Sequence, residues 1–231
     1  MGYDASTLPD VSDLTVGIIG GTGDQGRGLA YRFALAGQRV LIGSRDASRA
    51  AAVAEEIAAL PGVPAGGITG GGNDQVATGS DVVVIAVPWE GHEATVAALA
   101  DPLRGKIVVD CVNPLGFDKQ GPYALAVPEG SAVQQAAGLL PESRVCAAFN
   151  HVSAPLLADP TIEWIDLDVL ICGEDREAVG VVAALAGRIP GMRGVYAGRL
   201  RNAHQIEAFT ANLIAINRRY KAHTGVRVTD L

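Results

Sequence analysis

Apolar residues fall in short continuous runs separated by longer segments of mixed polarity. Thr15–Ile19 (TVGII), Arg39–Ile42, Asp81–Val87 (DVVVIAV), Lys106–Asp110, Arg144–Ala148 and Asp168–Cys172 are runs of four to seven residues rich in Val and Ile. Continuous rather than alternating apolar runs predict strands buried on both faces, as in a parallel sheet. Asp24–Ala36, Ala47–Leu60, Gly91–Ala100 and Arg176–Arg188 have helical character, with Gly37 and Pro61-Gly62 as stop signals after the first two. The glycine-rich segment Ala65–Gly72 has room for a short strand, and Gly194–Ala197 is a candidate final one. A long helix is expected from about Asn202 to His223. The alternation predicts right-handed βαβ units and an α/β fold with a doubly wound parallel sheet. Residues 1–14 read as a loose N-terminal arm, 15–150 as a dinucleotide-binding domain of Rossmann type, and 151–231 as a small C-terminal extension.

Composition narrows the class. The chain has 231 residues, 29 of them glycine without a collagen-like period, and 48% hydrophobic residues, enough for a sizeable core. Three widely spaced cysteines, Cys111, Cys146 and Cys172, each lie in or beside an apolar run. They read as buried thiols in a reducing cytoplasm, not as disulfide or metal ligands. Neither a signal peptide nor a membrane-length apolar run is apparent. A net charge of −7 argues against nucleic acid or an anionic membrane as partner. The charge is uneven, because residues 188–231 carry eight Lys and Arg against two acids. Such a basic segment suits a small polyanionic ligand, or else a solvated or intersubunit charged face.

The first run leads directly into Gly20-Gly21-Thr22-Gly23-Asp24-Gln25-Gly26. Gly21, Gly23 and Gly26 match G-x-G-x-x-G, with a strand before and a helix after, the context of dinucleotide binding. Gly21 is expected at the tight turn, Gly23 beside a pyrophosphate, and Gly26 where helix packs on strand. The second strand runs into Ser44-Arg45 in place of the acid that accepts from an NAD ribose, and Arg49 follows one helical turn on. A hydroxyl and two guanidinium groups grip a 2′-phosphate, so the expected cofactor is NADP. Asp46 sits where a helix N-cap belongs. Val87, Pro88 and Trp89 fall at the carboxyl end of the fourth expected strand, Asp81–Val87, where open sheets bind ligands. Trp89 there is either a plate beside the cofactor or a core residue. Asn113 reaches a cofactor or holds a turn. His92 is expected in the first turn of a helix facing solvent. His151 and Ser153, after the Arg144–Ala148 run, are the candidates for touching a reacting ring, with a backbone-satisfied histidine as the alternative.

GIIGGTGDQGRGLA, GSRDASR, VPWE and the tail ANLIAINRRYKAHTGVRVTDL together resemble the NADPH-dependent coenzyme F420 reductase (F420:NADP oxidoreductase) family. The tail resembles its actinobacterial branch. The resemblance implies reversible hydride transfer between NADP(H) and coenzyme F420, an 8-hydroxy-5-deazaflavin. It implies NADP contacts at Thr22, Gly23, Asp24, Gln25, Ser44, Arg45 and Arg49, with Val87, Asn113 and Val152 near cofactor contacts. It names no obligatory acid–base residue. The deazaflavin carries a phosphate and a glutamate tail, for which Arg193, Arg199 and Arg201 are the expected landing surface. Other readings are an NADPH-dependent reductase of an imine or ferric iron, and an NADP-binding sensor. Ile206, Phe209, Leu213, Ile216 and Tyr220 form one apolar seam at steps of three and four. It packs either on its own sheet or on a second subunit, and the resemblance favours a homodimer. The extension would then complete the deazaflavin site and supply the dimer contact.

Overall fold

The computed structural model describes residues 4–231. Its strands are β1 (Thr15–Ile19), β2 (Arg39–Ser44), β3 (Ile68–Gly72), β4 (Val82–Ile85), β5 (Ile107–Asp110), β6 (Leu115–Asp118), β7 (Gly121–Ala124), β8 (Arg144–Ala147), β9 (Leu167–Gly173) and β10 (Met192–Gly198). Its helices are α1 (Asp24–Leu35), α2 (Ala47–Ala58), α3 (Asn73–Gly79), α4 (His92–Ala98), α5 (Ala100–Leu103), α6 (Ala132–Leu139), α7 (Ala154–Ala158), α8 (Arg176–Gly187) and α9 (Ala203–Tyr220).

Eight strands form one sheet in the order β10-β9-β8-β5-β4-β1-β2-β3, and β6 and β7 make a separate antiparallel hairpin. From β3 to β8 neighbouring strands are parallel. Every residue of β1, β4 and β5 is buried, which accounts for their continuous apolar runs. Apolar side chains cover both faces. Phe33, Leu29 and Ile57 lie in one cluster, and Leu99, Leu103 and Leu140 in the other. Each such burial contributes about 1.5–3 kcal/mol.

The expected parallel sheet needs one correction. β9 runs antiparallel to β8, and β10 is parallel to β9, so the last two strands oppose the other six. The chain between β8 and β9 holds only the five-residue α7 and no full crossover helix. Without that crossover a parallel return is not made. The extension lengthens the sheet through β9 and β10, with the strand direction reversed. α3, α6 and α7, of seven, eight and five residues, and the β6–β7 hairpin were not expected. The 91–100 helix is interrupted into α4 and α5, and the last helix stops at Tyr220.

The arm is tied down in part. Residues 1–3 lie outside the described residues. Val11 is buried, and Gln38 Nε2 donates to the Val11 carbonyl at 2.7 Å. A buried arginine fastens α1 to α7 and the loop beyond it. Arg32 donates to the carbonyls of Leu156, Leu157, Asp159 and Ile162 at 2.6–2.8 Å.

Candidate active site

The sheet order reverses between β1 and β4, and ligand crevices open at the carboxyl ends of strands flanking such a point. The glycine loop lies there. Its left-handed residue is Gly20 (φ 78°), not Gly21, and a Cβ at Gly20 would lie 2.6 Å from the Ala86 carbonyl oxygen. Gly21 is closed in by Ile18 and Ile42 instead. Gly26 matches its expectation, since a Cβ there would lie 2.7 Å from Gly20 O and Gly21 Cα, so helix and loop touch. Gly23 has open space beside it, with nothing nearer than 3.5 Å. It is the N-cap of α1 and supplies no side-chain cap. The first N–H groups of α1, at Asp24 and beyond, are left with the positive end of the helix dipole, a ready anion seat.

A pocket of about 520 Å³ extends from this loop. Thr22, Gly23, Ser44, Arg45, Arg49, Val87 and Pro88 line it. Asp46 caps α2 as expected, accepting from the Ser48 and Arg49 N–H groups at 3.0 and 3.2 Å. The cap fixes the turn that aims Arg45 and Arg49 at one space. Neither arginine has an ion-pair partner among the described residues. Asn73, at the start of α3, also lines this pocket, and its buried Oδ1 lacks a donor. Sequence reading missed Asn73. Its only signal is its place at the carboxyl end of a glycine-rich strand. An anion grip, an uncapped helix start and an orphan acceptor fit a phosphorylated dinucleotide.

A second cleft, of about 870 Å³, shares Ala86, Val87, Pro88 and Glu90 with the first. Gln25, Trp89, Asn113, Asn150, His151, Val152 and Ser153 line it, and α9 closes one side through Thr210 and Leu213. Gln25 Nε2 donates to the Phe149 carbonyl at 3.2 Å. Two asparagines clamp the strand ends: Asn113 Nδ2 donates to Asn150 O at 2.7 Å, and Asn150 Nδ2 to Val112 O at 3.2 Å. Asn113 therefore ties the two strand ends together, and its side chain lines the cleft.

This chain is similar to known proteins over nearly its whole length. The family model NADP oxidoreductase coenzyme F420-dependent matches residues 15–114. The F420-dependent NADP reductase of Methanothermobacter thermautotrophicus is 40% identical over 223 residues, covering 94% of this chain and 96% of that protein. The chain belongs to the F420-dependent NADP reductase family. The family's enzyme from Methanocaldococcus jannaschii is 39% identical over 224 residues, covering 94% of this chain and 99% of that one. A solved structure from Arthrobacter aligns with TM-score 0.76 at 28% identity, covering 94% of this chain and 99% of that one.

Several side chains take places other than those the sequence predicts. His92 starts α4, but it is fully buried, not solvent-facing. Its Nε2 lies 2.6 Å from Asp110 Oδ2, its Nδ1 lies 2.9 Å from Gln135 Oε1, and the ring stacks on Trp89 at 5.4 Å. Burial pulls its pKa down, but bonding to Asp110 and Gln135 and the charges of Asp110 and Glu207 outweigh it, so the pKa lies above the ordinary value. Trp89 is thus held by a buried polar pair while it lines the cleft.

His151 is buried too, and its Nε2 accepts the Leu170 N–H at 3.2 Å. Burial lowers its pKa to about 4, which favours the neutral ring at pH 7. Ser153 Oγ lies 3.3 Å from His223 Nδ1. Arg193, expected at a landing surface, instead meets buried Asp168 with two bonds of 2.7 and 2.8 Å. Arg199 pairs with Glu174, and neither it nor Arg201 lines the cleft. The three cysteines are free and buried as expected. Burial raises the Cys146 and Cys172 thiols to about 12 and about 11, leaving them inert. Among the described residues no His, Cys, Asp and Glu group suits a metal, and no helix is long and apolar enough to cross a membrane.

Proposed function

We propose that this chain catalyses reversible hydride transfer between NADP(H) and coenzyme F420, with the two ligands meeting over Val87 and Pro88. The observation that carries the reading is the common wall. A pocket with two unpaired arginines opens, across Ala86–Pro88, onto a cleft with Val87, Trp89, Val112 and Leu115 in its walls. The bound ligands supply the hydride chemistry, and the protein supplies position and electrostatics.

Thr22, Gly23, Asp24 and Gln25 bring the uncapped start of α1 to a pyrophosphate, while Gly21 and Gly26 keep loop and helix in contact. Ser44, Arg45 and Arg49 hold the 2′-phosphate. Val87 and Pro88 form the shared wall, and Trp89, Asn113 and Val152 bound the deazaflavin side. His151 and Ser153 line that side. Residues 15–150 thus hold NADP, and residues 151–231 complete the deazaflavin site. Holding two reactants at attack distance is worth up to about 7–11 kcal/mol.

Anaerobic mixing with NADPH and F420 should remove the absorbance of both together, and NADP with reduced F420 should restore it. Turnover of imines or ferric chelates but not F420 would favour a different reductase. NADPH binding without turnover of any acceptor would favour a sensor.

Three finer readings go with this one. The C-terminal segment resembles the actinobacterial branch, which supports placing the chain there. Three free thiols suit a reducing cytoplasm. The α9 seam supports a homodimer, in a form altered from the sequence expectation. Ile206 and Leu213 are buried against the chain's own fold, whereas Phe209 is 41%, Ile216 37% and Tyr220 73% exposed. The last three present an apolar strip that a second copy would cover.

Light scattering should give twice the 23.7 kDa chain mass. Phe209→Asp with Ile216→Asp should return a folded monomer. A wild-type chain of single mass at micromolar concentration, or a double variant that stays dimeric, would remove the strip from the interface.

A further inference from the structure

The large cleft has its own unpaired cations, away from the NADP grip. α9 ends at Tyr220, and Lys221 takes a left-handed conformation (φ 51°, ψ 49°), its N–H donating to the Asn217 carbonyl. The turned chain is pinned by Asn217, whose Oδ1 accepts from the Thr224 N–H and hydroxyl at 2.7 and 2.8 Å. Residues 221–224 thereby fold back onto the cleft, and Arg218, Lys221 and His223 line it. Arg218 and Lys221 have no carboxylate partner among the described residues. Glu90, the one carboxylate on the described cleft wall, belongs to the stretch shared with the NADP pocket.

Two physical facts make this more than a charged helix end. A helix C-terminus carries partial negative charge and repels anions, so cations there reverse the sign at the cleft rim. The left-handed position after a helix favours glycine, and this chain keeps a lysine in it. Four other basic residues of 188–231 are engaged elsewhere, and Arg201 and Arg219 do not line the cleft. Arg193 and Arg227 hold Asp168, Arg199 meets Glu174, and Arg188 donates to the Ala36 carbonyl.

We infer that Arg218 and Lys221 form a second anion seat, which takes the phosphate and carboxylates of the cleft ligand's side chain while its ring lies against Trp89. The seat rests on the proposed F420 reading and adds to it a site for the side chain. The surface expected at Arg193, Arg199 and Arg201, all before α9, gives way to one at the C-terminal end of that helix.

Equilibrium titration of the cofactor-free protein, read by deazaflavin fluorescence, tests the seat. The probes are F420 and its ring–ribityl fragment, which lacks phosphate and glutamates. F420 should bind about tenfold or more tightly than the fragment at low salt, with the difference shrinking as salt rises. Arg218→Ala and Lys221→Gly should each weaken F420 about tenfold and leave the fragment and NADPH unchanged. Lys221→Gly should keep or raise the Tm, because glycine suits the left-handed position. Equal affinity for F420 and fragment in the wild type would overturn the seat. So would folded variants that bind F420 normally, or a Lys221→Gly variant that loses Tm and weakens both probes alike. Binding of neither probe, with NADPH still bound, would overturn the F420 reading itself and the seat with it.

Discussion

Alanine at both Arg45 and Arg49 is expected to weaken NADPH binding by about 10²–10⁴-fold while leaving NADH nearly unchanged. Each charge-assisted contact to a phosphate is worth about 1.5–3 kcal/mol, and tenfold in affinity is about 1.4 kcal/mol. Single variants should therefore lose about 10–150-fold. The structure sharpens the expectation in two ways. Both arginines line one pocket with Ser44, and neither has an ion-pair partner among the described residues to release before binding. Removing them costs the fold no ion pair, so Tm should stay near the wild-type value. Michaelis constants for both coenzymes decide the matter. Equal losses with NADPH and NADH would show that these arginines do not read the 2′-phosphate.

The second large effect concerns stability against pH. His151 has its pKa lowered to about 4 by burial, from an ordinary 6.5. Between those values the unfolded chain takes up a proton that the native chain does not. His151 therefore contributes stability that is complete above pH 6.5 and falls by about 3 kcal/mol as pH drops towards 4.

Glu207 has the opposite sign. Burial raises it from 4.5 to about 7, against bonds from the Ala132 and Val133 N–H groups; the Asp110 charge also raises it and that of His92 lowers it. Its contribution is complete below pH 4.5 and falls by about 3 kcal/mol as pH rises through 7. In the wild type the two slopes oppose each other over nearly the same window.

Each variant should expose the other group. His151→Gln should make stability fall as pH rises from 4.5 to 7, and Glu207→Gln should make it rise from 4 to 6.5. Urea unfolding at a series of pH values reads this directly. Curves that stay parallel to the wild type would show that neither residue titrates differently in the native state.

Motifs confined to a few neighbouring residues were legible from the chain alone. The glycine loop and the Ser44-Arg45…Arg49 grip each lie within one strand-to-helix turn, so local geometry brings their atoms together. Short helices were illegible, because α3, α6 and α7 complete too few turns to display a period. The direction of β9 was illegible for a different reason. A strand buried on both faces has the same composition whether it runs up or down, and only the connection from β8 decides.

His92 shows where local reading stops. The first turn of a helix is usually wet, yet Asp110 from β5 and Gln135 from α6 converge on this ring from sequence distances of 18 and 43 residues. The larger cleft is of the same kind, with walls drawn from Gln25, the β4 end, Asn150–Ser153 and the turn after α9. Arg193 is also a case of distance, since its partner Asp168 lies 25 residues away on a neighbouring strand. By itself the sequence determined the doubly wound core, the dinucleotide loop and the choice of NADP, because contiguous residues encode burial pattern, backbone freedom and charge. The tertiary structure alone decided which histidines are buried, which arginines lack an ion pair among the described residues, and which distant segments wall the larger cleft. Those depend on desolvation and pairing between groups far apart in the chain.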